Sequence, residues 1–189
     1  MTDAVLSLGS NLAPREGWLD LGLASLVEEG VRLTAVGPRW HTRALGGPAQ
    51  PDFLDIVVRG VAELAPAGWL ALARRAEARA GRRRPVPKGP RTLDVDVLAI
   101  GELVVDTEDL RLPHPAVLCR PYLLRGLALV APSWRHPRDG RSYLELARAA
   151  EPLSPRSSSV GSDPSPGPVR TEAGPPGRGS AAGSPPPGG

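Results

Sequence analysis

The chain has 189 residues, 41% of them hydrophobic, which allows one domain with a buried core and a tail. No apolar run approaches the ~20 residues of a membrane span, the N-terminus MTDAVLSLGSN lacks a signal's basic and apolar regions, and a single cysteine excludes an internal disulfide and a cysteine-based zinc site. The formal net charge of +3 suits a small polyanion as well as nucleic acid; most of the positive charge is arginine, clustered near Arg82, which favours a phosphate site in a cytoplasmic enzyme.

Residues 4–8 (AVLSL) form a short apolar run ending in Gly9-Ser10-Asn11 and read as a buried first strand with a turn. Pro14 and Glu16 open a helix, with proline in the first turn where its missing N–H costs nothing. Leu19, Leu23, Leu26 and Val27 make its buried stripe, and Gly30 caps it. Residues 31–42 are a second strand interrupted near Gly37-Pro38. A loop, RALGGPAQP, follows, of the length and makeup that suits either a functional loop or a plain connection. Residues 52–61 are the third strand, with Leu54, Ile56 and Val58 on one face and Phe53 and Asp55 on the other. An aromatic beside an acid can stack on and hydrogen-bond a flat heterocycle.

Residues 66–80 form the second helix. Leu70, Ala73, Glu77 and Ala80 share a stripe, and a glutamate there faces the site or pairs with an arginine, because glutamate is rarely buried unpaired. The run Arg82-Arg83-Arg84 then leads toward GPRTLDVDVL, residues 89–98. As a strand this segment sends Leu93, Val95 and Val97 into a core and Thr92, Asp94 and Asp96 to the other face. Two carboxylates side by side repel each other. A divalent cation removes that cost, and Mg²⁺ takes one or two carboxylates and completes its shell with water and phosphate oxygens. Arg91, delivered by the Gly-Pro turn, can hold phosphate through paired hydrogen bonds, and the arginine run can close over the same phosphates.

Residues 103–105 and 110–112 are the arms of a small hairpin. His114, held between two prolines, has a restrained backbone and is a candidate site residue. Residues 119–130 read as a third helix, with Leu123, Leu127 and Val130 toward the core and Arg120 and Tyr122 at its start. His41 and His136 have no constellation around them and read as structural. From residue 151 onward Pro, Gly, Ser and Ala dominate, so residues 1–150 are expected to be the folded domain and residues 151–189 a disordered tail. The element order is that of an α+β, ferredoxin-like βαββαβ sandwich with C-terminal additions.

GPRTLDVDVL resembles the signature of the 6-hydroxymethyl-7,8-dihydropterin pyrophosphokinase family, and the resemblance spans residues 4–151. It implies transfer of pyrophosphate from ATP to a pterin alcohol, a step of folate biosynthesis, with two Mg²⁺ ions on Asp94 and Asp96. By the same resemblance Arg82, Arg91 and Arg83 or Arg84 close over the triphosphate, Glu77, His114 and Arg120 contact the nucleotide, and Thr42, Leu45, Phe53, Asp55 and Tyr122 form the pterin pocket. The partners implied are these two small molecules, with no nucleic acid, membrane or obligate protein partner. Several positions depart from the family pattern. Asp55 replaces an asparagine, which offers both donor and acceptors where an ionised aspartate only accepts; the solutions are a protonated acid or a ring edge presenting only donors. Lys88 and Pro87 replace a tryptophan and a basic residue, Arg43-Ala44 replaces a double proline, and the arginine loop is one residue short. A related pyrophosphokinase with a different hydroxymethyl acceptor is the alternative that Asp55 supports. A basic ferredoxin-like RNA-binding domain would need an exposed aromatic pattern on its sheet, and this chain has one phenylalanine and no such motif.

Overall fold

The computed structural model describes residues 1–83 and 86–150. Arg84 and the predicted tail, residues 151–189, lie outside the described residues. The elements run β1 (Thr2–Ser10), α1 (Arg15–Glu28), β2 (Arg32–Thr42), β3 (Phe53–Ala62), α2 (Pro66–Arg79), β4 (Asp94–Ile100), the short strands β5 (Val105–Asp106) and β6 (Arg111–Leu112), a 3₁₀ turn (Pro115–Val117), α3 (Pro121–Val130) and α4 (Tyr143–Ala149).

The four long strands form one sheet in the order β2-β3-β1-β4, every neighbouring pair antiparallel. This is the ferredoxin-like arrangement, with α1 and α2 on one face. The period of two in each strand decides what that face buries. Ala4, Leu6 and Leu8 of β1, Leu54, Ile56 and Val58 of β3, and Val95 and Val97 of β4 pack against Leu19 and Leu26 of α1 and Trp69, Leu72 and Ala76 of α2.

The opposite face is divided. At one end Val5, Val57, Leu98 and Ala99 are covered by Leu123, Leu127 and Val130 of α3 and by Tyr143 and Leu146 of α4. Farther along the same strands the side chains become Ser7, Gly9, Asp55, Asp94 and Asp96. Gly9 pairs with both Asp55 and Asp94, and Ser7 with both Val57 and Asp96. Among the described residues no helix is laid over that end.

Three expectations need correction. Val27 was placed on the buried stripe of α1, but it is 53% exposed, and Gly22 and Ser25 take the sheet-facing turn beside Leu19 and Leu26. Gly22 is there because a Cβ would meet Leu8 Cδ2 at 2.7 Å; close approach, not apolarity, fills that position. The third helix begins at Pro121 rather than at residue 119, because the chain first makes the 3₁₀ turn after His114. The hairpin arms are only two residues long, and Leu103 and Val104 are exposed. The interruption near Gly37-Pro38 is a register shift between Val36 and Arg39 on the edge strand β2, where a proline removes no ladder bond.

Candidate active site

The open end of the sheet is the floor of a cavity of about 780 Å³. Ser7 and Gly9 come up from β1, Phe53 and Asp55 from β3, and Asp94 and Asp96 from β4. Thr42 and Leu45 line the side toward β2, Arg82, Arg83 and Arg91 stand over the β4 side, and His114, Arg120 and Tyr122 close the far wall. Of the thirteen predicted site residues, Glu77 does not line the cavity and Arg84 lies outside the described residues; the others meet here. The arginine cluster divides. Arg74, Arg75 and Arg79 of α2 form exposed ion pairs with Asp109, Glu29 and Glu28 and take no part in the cavity.

The β4 wall is built from its backbone outward. β4 is an edge strand, so some of its N–H groups need partners other than a neighbouring strand. Glu77 supplies one: its Oε1 accepts from Val95 N–H at 2.9 Å, between the two aspartates. The same carboxylate pairs with Arg82, whose side chain is only 7% exposed and reaches on to Asp94 Oδ1 at 2.5 Å. Arg91 Nη1 donates to the other oxygen, Asp94 Oδ2, at 2.7 Å. The buried glutamate of α2 thus stands behind Arg82.

Asp94 is held by two guanidinium groups, whereas Asp96 makes no side-chain hydrogen bond or ion pair among the described residues. Burial, and after it the negative charge of Asp94, push the Asp96 carboxyl above the ordinary range against the pull of His114, Arg120 and Arg82. An under-compensated acid beside a second one is the donor set Mg²⁺ takes. Among the described residues no cluster of three or more His, Cys, Asp or Glu side chains is placed to hold a metal alone, so phosphate and water oxygens must complete any such shell.

Arg91 is positioned from below. Asn11, 1% exposed, accepts from Arg91 N–H at 2.8 Å and donates its own N–H to Arg91 O at 3.2 Å. Its side-chain amide donates to Gln50 Oε1 and Pro51 O, at 2.9 and 3.1 Å. Gln50 in turn donates to Lys88 O at 2.8 Å. Asn11 and Gln50 therefore join the end of β1, the loop after β2 and the segment before β4. Lys88 adopts a φ of 56°, an unusual backbone for a side-chain-bearing residue, and so fixes the turn before Gly89.

On the other side Arg91 lies over the Phe53 ring, 5.3 Å from its centroid, within cation–π range. Thr42 Oγ1 donates to Asp55 Oδ2 at 2.6 Å. Asp55 is 5% exposed; burial first, then the charges of Asp94 and Asp96, raise its carboxyl to about 7 despite the Thr42 hydrogen bond and Arg120. Burial, and after it the charge of Asp55, raise the Tyr122 hydroxyl above its ordinary range against the opposing hydrogen bond with Arg120. His114 Nδ1 accepts from Ala116 N–H at 3.2 Å, which leaves Nε2 for the cavity. Of the two remaining histidines, His136 is buried edge-on against Tyr143 and His41 is exposed.

Ser7 and Gln50 were missed. The alternation of AVLSLGS already places Val5, Ser7 and Gly9 together, so Ser7 was legible by the period of two; Gln50 carried no signal.

The site is that of a phosphate-handling enzyme: two carboxylates and several arginines on one side, two aromatics and a buried acid on the other. Residues 5–132 match the family described as 7,8-dihydro-6-hydroxymethylpterin-pyrophosphokinase (HPPK), and the chain belongs to it. It is 37% identical over 145 residues to the 2-amino-4-hydroxy-6-hydroxymethyldihydropteridine pyrophosphokinase of Pseudomonas aeruginosa, covering 76% of this chain and 89% of that one. With the Synechocystis enzyme of the same name it shares 34% over 144 residues, 76% of this chain and 73% of the other. The fold is similar to that of Plasmodium falciparum HPPK-DHPS, with a TM-score of 0.60 at 12% identity, over 78% of this chain and 44% of that one; this chain spans less than half of that protein. The family's reaction is pyrophosphoryl transfer from ATP to hydroxymethyldihydropterin in folate biosynthesis, and the chain is a diphosphotransferase of this class.

Proposed function

We propose that the open end of the sheet carries out this transfer with Asp94 and Asp96 as metal ligands, Arg82, Arg91, Arg120 and His114 around the ATP phosphates, and Thr42, Leu45, Phe53, Asp55 and Tyr122 around the pterin. The observation that carries the reading is the pair of β4 carboxylates facing a cavity whose opposite wall holds two aromatics. When bound there, Mg²⁺ supplies charge neutralisation at the phosphates. The chain's own residues bind and align. Arg82 and Arg91 now satisfy Asp94; with nucleotide present each turns a guanidinium toward phosphate oxygens, which it can grip in bidentate fashion. Arg83 or Arg84 is the arginine that closes above them, and Glu77 acts through Arg82 as a positioning residue. Phe53 and Tyr122 hold the ring so that its hydroxymethyl oxygen faces the phosphates. Positioning and electrostatics supply the rate, and no general base is required.

Residues 1–150 are the catalytic domain in this reading and residues 151–189 a tail. The reading takes the cytoplasm as the location and ATP and the pterin as the sole obligate partners; among the described residues no helix is long and apolar enough to cross a membrane. The test is a Mg²⁺ titration of ATP binding by calorimetry, in wild type and in Asp96→Asn. Mg²⁺-dependent affinity that the variant loses supports the assignment; equal Mg²⁺ dependence in both contradicts it.

A further inference from the structure

Ser7 places a lone hydroxyl on the floor of the cavity. It interrupts the apolar middle of β1, where Ala4, Val5, Leu6 and Leu8 are fully buried and Ser7 itself is 5% exposed. β1 runs between β3 and β4, so the floor is ordered in two rows. Asp55, Gly9 and Asp94 form one, with Asp55 Oδ1 lying across Gly9; Val57, Ser7 and Asp96 form the other. Val57 is apolar and sealed under α3, so the one polar residue opposite Ser7 is Asp96. Side chains directly opposite on one face stand about 4.5–5.5 Å apart at Cβ. Neither satisfies the other, however. Among the described residues the Ser7 hydroxyl has no hydrogen-bond partner, and Asp96 has none from a side chain. Asp94, one row away, is the contrast, because Arg82 and Arg91 take both of its oxygens. Two polar groups that face one cavity at this spacing without bonding each other are joined through a third oxygen.

Resting on the functional reading above, we propose that Ser7 is a positioning residue for the cation on Asp96: its hydroxyl takes a hydrogen bond from a water of the cation's shell and so fixes the ion on the β1 side of that carboxylate. Mg²⁺ gives up its waters reluctantly and keeps several of them when carboxylates and phosphates bind it. Each retained water is a donor that needs an acceptor. Arg82 and Arg91 offer none, since a guanidinium only donates, and Val57 has no polar atom; a serine oxygen has two lone pairs. Ser7 is thus the neutral acceptor directly beside Asp96, and its own O–H remains free to donate to the outer carboxylate oxygen. Groups that hold a metal's ligands in this way change its affinity about tenfold or more.

The experiment measures Mn²⁺ binding to the full chain with a non-hydrolysable ATP analogue, from the electron paramagnetic resonance signal of the free ion. It follows the ion taken up beyond the one that the nucleotide carries by itself. Ser7→Ala is expected to raise the dissociation constant of that ion about tenfold, with an unchanged circular dichroism spectrum. Ser7→Thr keeps the hydroxyl on a side chain that suits a strand and is expected to recover most of the loss, which a packing role for Ser7 would not produce. At saturating Mn²⁺ the affinity for 6-hydroxymethylpterin, read by its own fluorescence, is expected to be the same in all three proteins. Equal Mn²⁺ affinity in wild type and Ser7→Ala, a threonine variant as weak as the alanine one, or a loss that falls on pterin affinity instead, overturns the proposal alone. No further ion in wild type, or one whose affinity Asp96→Asn leaves unchanged, overturns it together with the functional reading.

Discussion

Val5, Val57 and Leu98 share a sheet face with Gly9, Asp55 and Asp96, only a few residues away on the same strands. At the first end α3 and α4 seal the surface so closely that a Cβ on Gly126 would collide with Val57. At the second end the cover stops and the strands present acids and a bare glycine. The same three strands thus support two opposite surfaces. One contributes stability through apolar burial; the other holds unfavourable charge that only ligands relieve. The covered end is what allows the open end to be strained, because natural domains concentrate poorly compensated groups at functional sites.

The contrast can be broken from either end. Asp96→Ala on the open end removes an under-compensated acid and no core packing. Turnover is expected to fall by about 10³-fold or more, while circular dichroism and thermal melting stay at or above wild type; near-normal turnover would sink the metal assignment. Leu127→Ala at the covered end, where the side chain is fully buried, is expected to cost about 2–5 kcal/mol in denaturant unfolding, with kcat per folded molecule nearly unchanged. A large kcat loss there would mean that the two ends are not separable.

Gly9→Ala adds a single methyl group where Asp55 Oδ1 lies. The acid must shift, and the acceptor's KM is expected to rise roughly tenfold, the equivalent of about one hydrogen bond, with the ATP KM little changed. The last effect is on stability against pH. Asp55's folded-state value, about 7, lies above its ordinary 3.8. The folded protein therefore holds the extra proton, and this contribution is present below about pH 4 and lost as pH rises through 7. Melting curves of ligand-free wild type and Asp55→Asn are expected to converge at low pH and separate above 7, the asparagine variant being the more stable.

Strand identities were legible because β1 is a short apolar run and β3 and β4 carry their acids in alternation with apolar residues, and the meeting of Arg91, Asp94 and Asp96 follows from ten consecutive residues. The divided face was not. Whether the next side chain along β4 is covered depends on where α3 lands, a long-range matter that local periodicity does not encode. Helix α4 was unpredicted, though Ser142 and Glu145 form a capping box that spells its start. Its Tyr143 is among the largest buried side chains. Val27 and Gly22 exchanged roles because a glycine at a close helix–strand contact looks, by hydropathy, like a gap. Asn11 stood out as part of a turn, but its bond to Gln50 crosses 39 residues and only the assembled sheet reveals it.

The most direct test is the identity of the nucleotide product. Purified full chain, Mg²⁺, ATP and 6-hydroxymethyl-7,8-dihydropterin are incubated and the nucleotides separated, with Asp96→Ala in parallel. The account predicts AMP, formed only with pterin present and absent from the variant. ADP as the product, or AMP released equally without pterin, would contradict it.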